Sequence, residues 1–304
     1  MSDGILYTEH SALTGPHLPS LWSFESCRRD ASRSRVVCNR NGSQEYWLER
    51  SDPLLNTMLP GTGVTLVVNL GDLWAAGRSL AASAFLPRVC LVGPVTQARI
   101  LRLGKDVLAV GAGIPSALTL AIFGLPAAEL VDRIVPLDEV WKETAADRLL
   151  TKVSGLPVAQ SMSVLKDEMM ERIRRRPTVE TAAYRAAQEI LSHGGRVSIT
   201  DLARQHGVSR RQFAREFSST AGLAPKLFAR ITRFQSLLQA LLSADVSEWA
   251  SVSSEVGFYD QAHMINEFHA FAGSAPTAFF RLLGEESDAA NARPQGRPSE
   301  WSAR

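Results

Sequence analysis

Phe217, Gly222, Pro225 and Phe228 recur together 51 positions later as Phe268, Gly273, Pro276 and Phe279. Gly is about 7% and Pro about 5% of ordinary chains, with Phe comparably scarce, so chance gives such a match in about one chain in a thousand. The recurrence therefore marks two copies of one structural unit. Each copy has a further Gly upstream, Gly207 and Gly257, closing a short stretch of helical periodicity. A helix, a Gly-containing turn and a second helix ending in Phe make the helix-turn-helix pattern, and two of them imply a surface that reads duplex DNA.

In the first copy, Ser198 and Asp201 have the spacing of a capping box, and Ile199, Leu202 and Ala203 give the helix an inward face. Gly207 permits a sharp turn because it takes a positive φ without steric cost, and Val208 then points back into the core. Ser209 and Gln212 predict a second capping box, opening a helix whose inward side is Phe213 and Phe217. At 100° per residue, Arg211, Gln212 and Arg215 fall on the opposite face. Arg pairs with guanine or phosphate and Gln with adenine, so these side chains suit a major groove. The plain alternative is a solvated helix face.

The second copy starts at Ser247, carries Ala250 and Val252, and places Ser253 at the small position held by Ala203. Its turn, through Gly257, Phe258, Tyr259 and Asp260, is one residue longer, so Met264 and Phe268 take the inward places. The outward face is then Ala262, His263, Asn266 and His269, with no fixed positive charge. Residues 196 to 233 hold eight basic side chains (Arg196, Arg204, Arg210, Arg211, Arg215, Lys226, Arg230, Arg233) against two acidic ones (Asp201, Glu216), a net +6. Residues 245 to 281 hold one basic side chain (Arg281) against five acidic ones (Asp245, Glu248, Glu255, Asp260, Glu267), a net −4. On charge alone, only the first copy suits phosphates.

Pro225 fits the first turn of a connecting helix, along which Phe228, Ile231, Phe234 (or Gln235), Leu238 and Leu242 form an apolar stripe. A helix over 225–242 spans roughly 27 Å at 1.5 Å per residue. Such a strut can hold two recognition helices about one DNA turn apart.

These segments resemble the AraC/XylS family of bacterial transcription regulators over about residues 180 to 283. The most specific stretch is Gly257-Phe258-Tyr259-Asp260-Gln261-Ala262-His263-Met264 with Phe268, Gly273 and Pro276, similar to the family signature around its second recognition helix. Ser209-Arg210-Arg211-Gln212-Phe213 also matches the family pattern. The resemblance implies DNA contacts from Ser209, Arg210, Arg211, Gln212 and Arg215, and from Tyr259, Gln261, His263 and Asn266. It departs from the family in lacking an Arg near Asn266 and basic residues near His269 and Ala270. For His263 the alternative is a packing or capping role.

Upstream, Thr65 to Leu70 and Val89 to Val92 read as strands bounded by Gly and Pro turns, and Ile100 to Leu103 with Val107 to Val110 read as a hairpin around Gly104-Lys105-Asp106. Short strands of this kind predict a small barrel or sandwich over residues 1–138. Gly113-Ile114-Pro115 to Phe123-Gly124-Leu125-Pro126, followed by Pro136-Leu137-Asp138, resembles the end of the cupin-like sensor domain of some AraC-type regulators. That resemblance implies an unknown small-molecule effector. Trp22, Trp47 and Trp74 are candidates to line its cavity, with core packing as the alternative. Asn69 and Asp72 fit a turn.

Residues 139–177 read as a helical linker with helices over 138–150 and 162–173. The stripe Met162, Leu165, Met169 and Ile173 packs on its own barrel or, alternatively, joins a homodimer. Arg172 and Arg174-Arg175-Arg176-Pro177 close that helix favourably for its dipole. The whole is an α+β two-domain chain: a mostly-β, cupin-like N-terminal barrel or sandwich, then an all-α domain over 178–283. That domain has one helix-turn-helix over about 198–218, the linker helix, and a second over about 247–271. A polar tail over 284–304 is expected to be disordered.

Three cysteines, Cys27, Cys38 and Cys90, lack metal spacing and suit reduced thiols. With no apolar leader and no run of 18 apolar residues, a cytoplasmic location is expected. A metal-dependent cupin enzyme needs clustered His and carboxylate ligands, and the first domain has only His10 and His17. No enzyme activity, cofactor or metal is therefore expected. Double-stranded DNA is the expected partner, with RNA polymerase the alternative target of the second copy.

Overall fold

The computed structural model describes residues 3–10, 20–28, 36–38, 46–49, 55–142, 144–176, 181–243 and 249–284, with side chains except at 3–10, 24–28, 36–38, 46–49, 243 and 281–284. Two antiparallel six-stranded sheets form the N-terminal part. The first runs in the order β1 (Asp3–His10), β2 (Ser20–Arg28), β11 (Leu108–Ile114), β6 (Val64–Asn69), β9 (Val89–Val92), β12 (Ile134–Pro136). The second runs β3 (Val36–Cys38), β4 (Tyr46–Glu49), β5 (Leu55–Met58), β10 (Arg99–Arg102), β7 (Ala75–Gly77), β8 (Ala84–Phe85). Among the described residues neither sheet closes on itself, so the expected barrel or sandwich is realised as a sandwich.

All of β6 is buried, and its two-residue period divides the burial between two cores. Val67 faces the second sheet with Trp22, Trp74, Cys90, Leu101 and Ala109. Val64, Leu66 and Val68 face a helical layer of α1 (Thr119–Phe123), α2 (Leu137–Trp141), α3 (Ala145–Val153) and α4 (Val158–Arg175). The order is therefore sheet, sheet, helices. A run such as Val64 to Val68, apolar except for Thr65, is what a strand covered on both faces requires.

Two expectations fail here. Residues 100–103 and 107–110 are not a hairpin: β10 pairs with β5 and β7 in one sheet, while β11 pairs with β2 and β6 in the other. The turn between them crosses sheets, held by Asp72, whose Oδ2 accepts the N–H groups of Lys105 and Asp106 at 3.0 Å. Asp72 and Asn69 do shape a turn, Asn69 Nδ2 donating to the Asp72 carbonyl at 2.6 Å. Residues 139–177 do not stand between domains as a linker. Met162, Leu165 and Met169 of α4 are buried against the first sheet with α1–α3, leaving that stripe unavailable for a homodimer.

The Cys90 thiol lies in the inter-sheet core, and burial pushes its pKa up to about 12. A thiol held protonated is a poor nucleophile. Cys90 is expected to resist iodoacetamide at pH 8 in the native protein and to react on unfolding in urea, as read by intact mass. Rapid native alkylation of Cys90 would contradict its placement.

The C-terminal part is α5 (Ala182–Ser192), α6 (Ile199–Gln205), α7 (Arg210–Ala221), α8 (Pro225–Ser243), α9 (Trp249–Glu255), α10 (Gln261–Ala272) and α11 (Pro276–Gly284) around one apolar core. The sequence repeat has a physical reading here. Gly222 and Gly273 follow α7 and α10 at φ of 82° and 79°, the left-handed C-cap that Gly adopts without strain. Pro225 and Pro276 open the next helices. Phe217 and Phe228 then meet edge to face at 5.3 Å and 85°, and Phe268 and Phe279 at 5.1 Å and 78°. Each such pair contributes about 0.5–1.5 kcal/mol beyond its burial.

α8 is covered on more than one side. Phe228, Ile231, Phe234, Leu237, Leu238 and Leu241 are buried, and so is Gln235, while Leu242 of the expected stripe is exposed. The Gln235 side chain donates to the Pro60 carbonyl at 2.9 Å, Leu59 enters the helical core, and the Ala98 N–H donates to the Phe271 carbonyl at 3.1 Å. The backbone at Ala127 packs against Gly222. The β-rich part thus touches the ends of both α7 and α10.

Candidate nucleic-acid interface

Each helix-turn-helix turns at its Gly, with φ of 70° at Gly207 and 90° at Gly257. α6, α7 and α10 start on capped N-termini. Ser198 Oγ accepts the Asp201 N–H at 3.2 Å, Ser209 Oγ accepts the Gln212 N–H at 3.2 Å, and Asp260 Oδ1 accepts the His263 N–H at 2.7 Å. A cap of this kind contributes about 1 kcal/mol. The return halves of the two expected capping boxes are replaced: Asp201 pairs with Arg204 at 2.6 Å, and Gln212 Nε2 donates to Glu216 at 2.9 Å.

Inward, α7 buries Phe213 and Phe217, and α10 buries Met264, Phe268 and Phe271. α9 buries Trp249, Val252 and Ser253 and exposes Ala250; Ser247 lies outside the described residues. Trp249 is an anchor the repeat did not reveal, because the first copy has no aromatic residue at the matching place. Outward, Ser209, Arg210, Arg211, Gln212 and Arg215 are exposed on one unit, and His263, Asn266 and His269 on the other. Tyr259 is 93% exposed at the turn before α10, whereas Gln261 is half-buried. The His263 ring meets Phe258 edge to face at 5.4 Å, so it packs as well as facing outward.

Seven of the first copy's eight basic residues divide into two groups, and Lys226 is exposed in the first turn of α8. Arg204 pairs with Asp201. Arg230 makes a two-pronged pair with Glu267 of α10 at 2.6 and 2.8 Å, which raises its proton affinity. Arg233 donates to the Gly195 carbonyl at 3.0 Å, and Arg196 donates to the Glu255 carbonyl at 2.7 Å. Arg230 and Arg196 tie α5–α8 to α10 and α9, and Arg233 ties α8 to the turn after α5, so the +6 of the sequence overstates what faces solvent. Arg210, Arg211 and Arg215 have no acidic partner among the described residues. A cluster of exposed, unpaired guanidinium groups on a capped helix can neutralise phosphates and fork onto guanine edges.

The candidate effector residues lie elsewhere. Trp22 and Trp74 are buried in the inter-sheet core, which is the packing alternative, and the Trp47 side chain lies outside the described residues. Among the described residues no helix is long and apolar enough to cross a membrane.

A family model described as a helix-turn-helix domain matches residues 202–282. Sequence comparison with curated proteins gives no match. Among solved structures, ToxT from Vibrio cholerae O395 is similar at 9% identity and a TM-score of 0.43, over 88% of this chain and 98% of that one. Unsaturated fatty acid bound ToxT from Vibrio cholerae strain SCE256 gives 10% and 0.42, over 74% and 89%. The AraC-like transcriptional activator CuxR gives 11% and 0.29, over 79% and 82%. The family model is laid over both capped units, and the chain carries at its C-terminal end a helix-turn-helix domain of the AraC type.

Proposed function

We propose that this regulator binds a specific operator through α7, with Arg211 and Arg215 reading bases and Ser209 and Arg210 on the backbone, and that its β-rich part receives a small-molecule effector. The observation that carries this is the trio of unpaired arginines on the exposed face of a helix whose opposite face is locked by Phe213 and Phe217. Gln212 reaches adenine only by exchanging Glu216 for the base. Selection of duplexes from a random pool by the full-length protein tests the reading. Recovery of a common motif supports it, and recovery of unrelated sequences contradicts it.

A second reading concerns α10 alone, whose outward face lacks fixed positive charge: there it touches RNA polymerase or another regulator instead of DNA. Asn266→Arg separates the two. If the helix faces a groove, the new cation tightens operator binding and steepens its salt dependence by about 0.9 in log–log slope. Glu267 does not interfere, since Arg230 holds it. Unchanged affinity and slope, with His263→Ala still abolishing regulation in cells, assigns α10 to a protein partner.

A further inference from the structure

A cleft of about 400 Å³ opens between α3 and α4, floored by Trp141, Ala145 and Leu149. Its walls carry four cations, Arg148, Lys152, Arg172 and Arg175, and only two carboxylates, Glu168 and Glu171. Those carboxylates are already shared. Glu168 takes Lys152 at 3.1 Å and Arg172 at 3.0 Å, while Glu171 takes Arg175 and, from outside the cleft, Arg174, each at 2.9 Å. Arg148 has no acidic partner among the described residues.

We infer that this cleft binds a small organic dianion, with its carboxylates or phosphate set among Arg148, Lys152 and Arg175 and its apolar body on Leu149. The excess of two positive charges sets the ligand's charge. The rigidity of the wall supports the assignment: the Arg172 guanidinium lies 3.4 Å from the centre of the Trp141 ring, which stacks on Phe123 at 5.3 Å. Burial lowers the proton affinity of Arg172, and Glu168 raises it, while Arg175 and Arg148 lower it further, so the cations crowd one another along the cleft. Burial raises the pKa of Glu168, but Lys152 and Arg172 together hold it below the usual carboxylate range. Hydrogen bonds from Arg174 and Arg175 likewise lower the pKa of Glu171, so both carboxylates stay ionised near neutrality. Four residues beyond Phe123, Ala127 packs against Gly222 at the end of α7, which places the cleft near the DNA-reading helix. As an effector site, the cleft rests on the regulator reading above.

The test is calorimetry on the full-length protein at low salt without DNA, using phthalate and phenyl phosphate as dianions and benzamide as the neutral control. One-to-one binding of a dianion is expected. Loss of one charge-assisted contact in Arg148→Ala or Lys152→Ala should weaken it about tenfold. Arg148 is exposed and unpaired, so circular dichroism should show an unchanged fold in that variant. The inference is overturned if neither dianion binds, or if benzamide or inorganic phosphate binds equally well. It is also overturned if Arg211→Ala weakens binding where Arg148→Ala does not. Because no DNA is present, a failure here is distinct from a failure to select an operator.

Discussion

Phe268→Ala is expected to destabilise the protein by about 3–5 kcal/mol in urea unfolding, the cost of emptying a fully packed aromatic site. Phe268 is fully buried and touches the rings of Phe234, Phe279 and Phe280. Its loss removes the edge-to-face partner of Phe279 and leaves a cavity under α10. Phe217→Ala, at the matching place of the first copy, should cost a similar amount. Tyr259→Ala, where the ring is exposed, should stay within about 0.5 kcal/mol. A loss below about 1 kcal/mol at Phe268 would mean that the second unit is not packed as described.

Arg211→Ala and Arg215→Ala should each weaken operator binding by about 1–3 kcal/mol if they read bases. Arg211 and Arg215 lie one turn apart on α7 and their like charges repel, so the double variant should depart from the sum of the two losses. Fluorescence anisotropy on a selected operator checks this. Equal losses on operator and random duplex would reduce both residues to phosphate contacts. Stability should hardly change, because both side chains are exposed and neither supports a buried partner.

How much of this was readable from sequence depends on how local the cause is. The repeat, the caps at Ser198 and Ser209, and the inward Phe213, Phe217, Met264 and Phe268 are set by neighbours within a few positions. The charge count was less informative. Arg230 finds Glu267, 37 positions away, and Arg196 finds the carbonyl of Glu255, 59 positions away, and neither partner announces itself locally. The misread hairpin has the same origin. Residues 100–103 and 107–110 are two short apolar-rich runs around a Gly-containing turn, as a hairpin would be, and only Asp72, far upstream, shows that their turn crosses between sheets. The apolar stripe of α4 was visible, but the sequence left its own β-rich part and a homodimer both open as the partner, and the structure gives it the first sheet.

The central claim is that the exposed face of α7 reads operator bases, and a double-mutant cycle tests it most directly. Arg211→Ala is combined with single base-pair changes across the operator, and binding is measured for all four combinations at fixed salt. The expected result is coupling of about 1–3 kcal/mol at one guanine and additivity elsewhere, because a base contact can be lost only once. Additivity at every operator position, for Arg215 as well as Arg211, would contradict the claim.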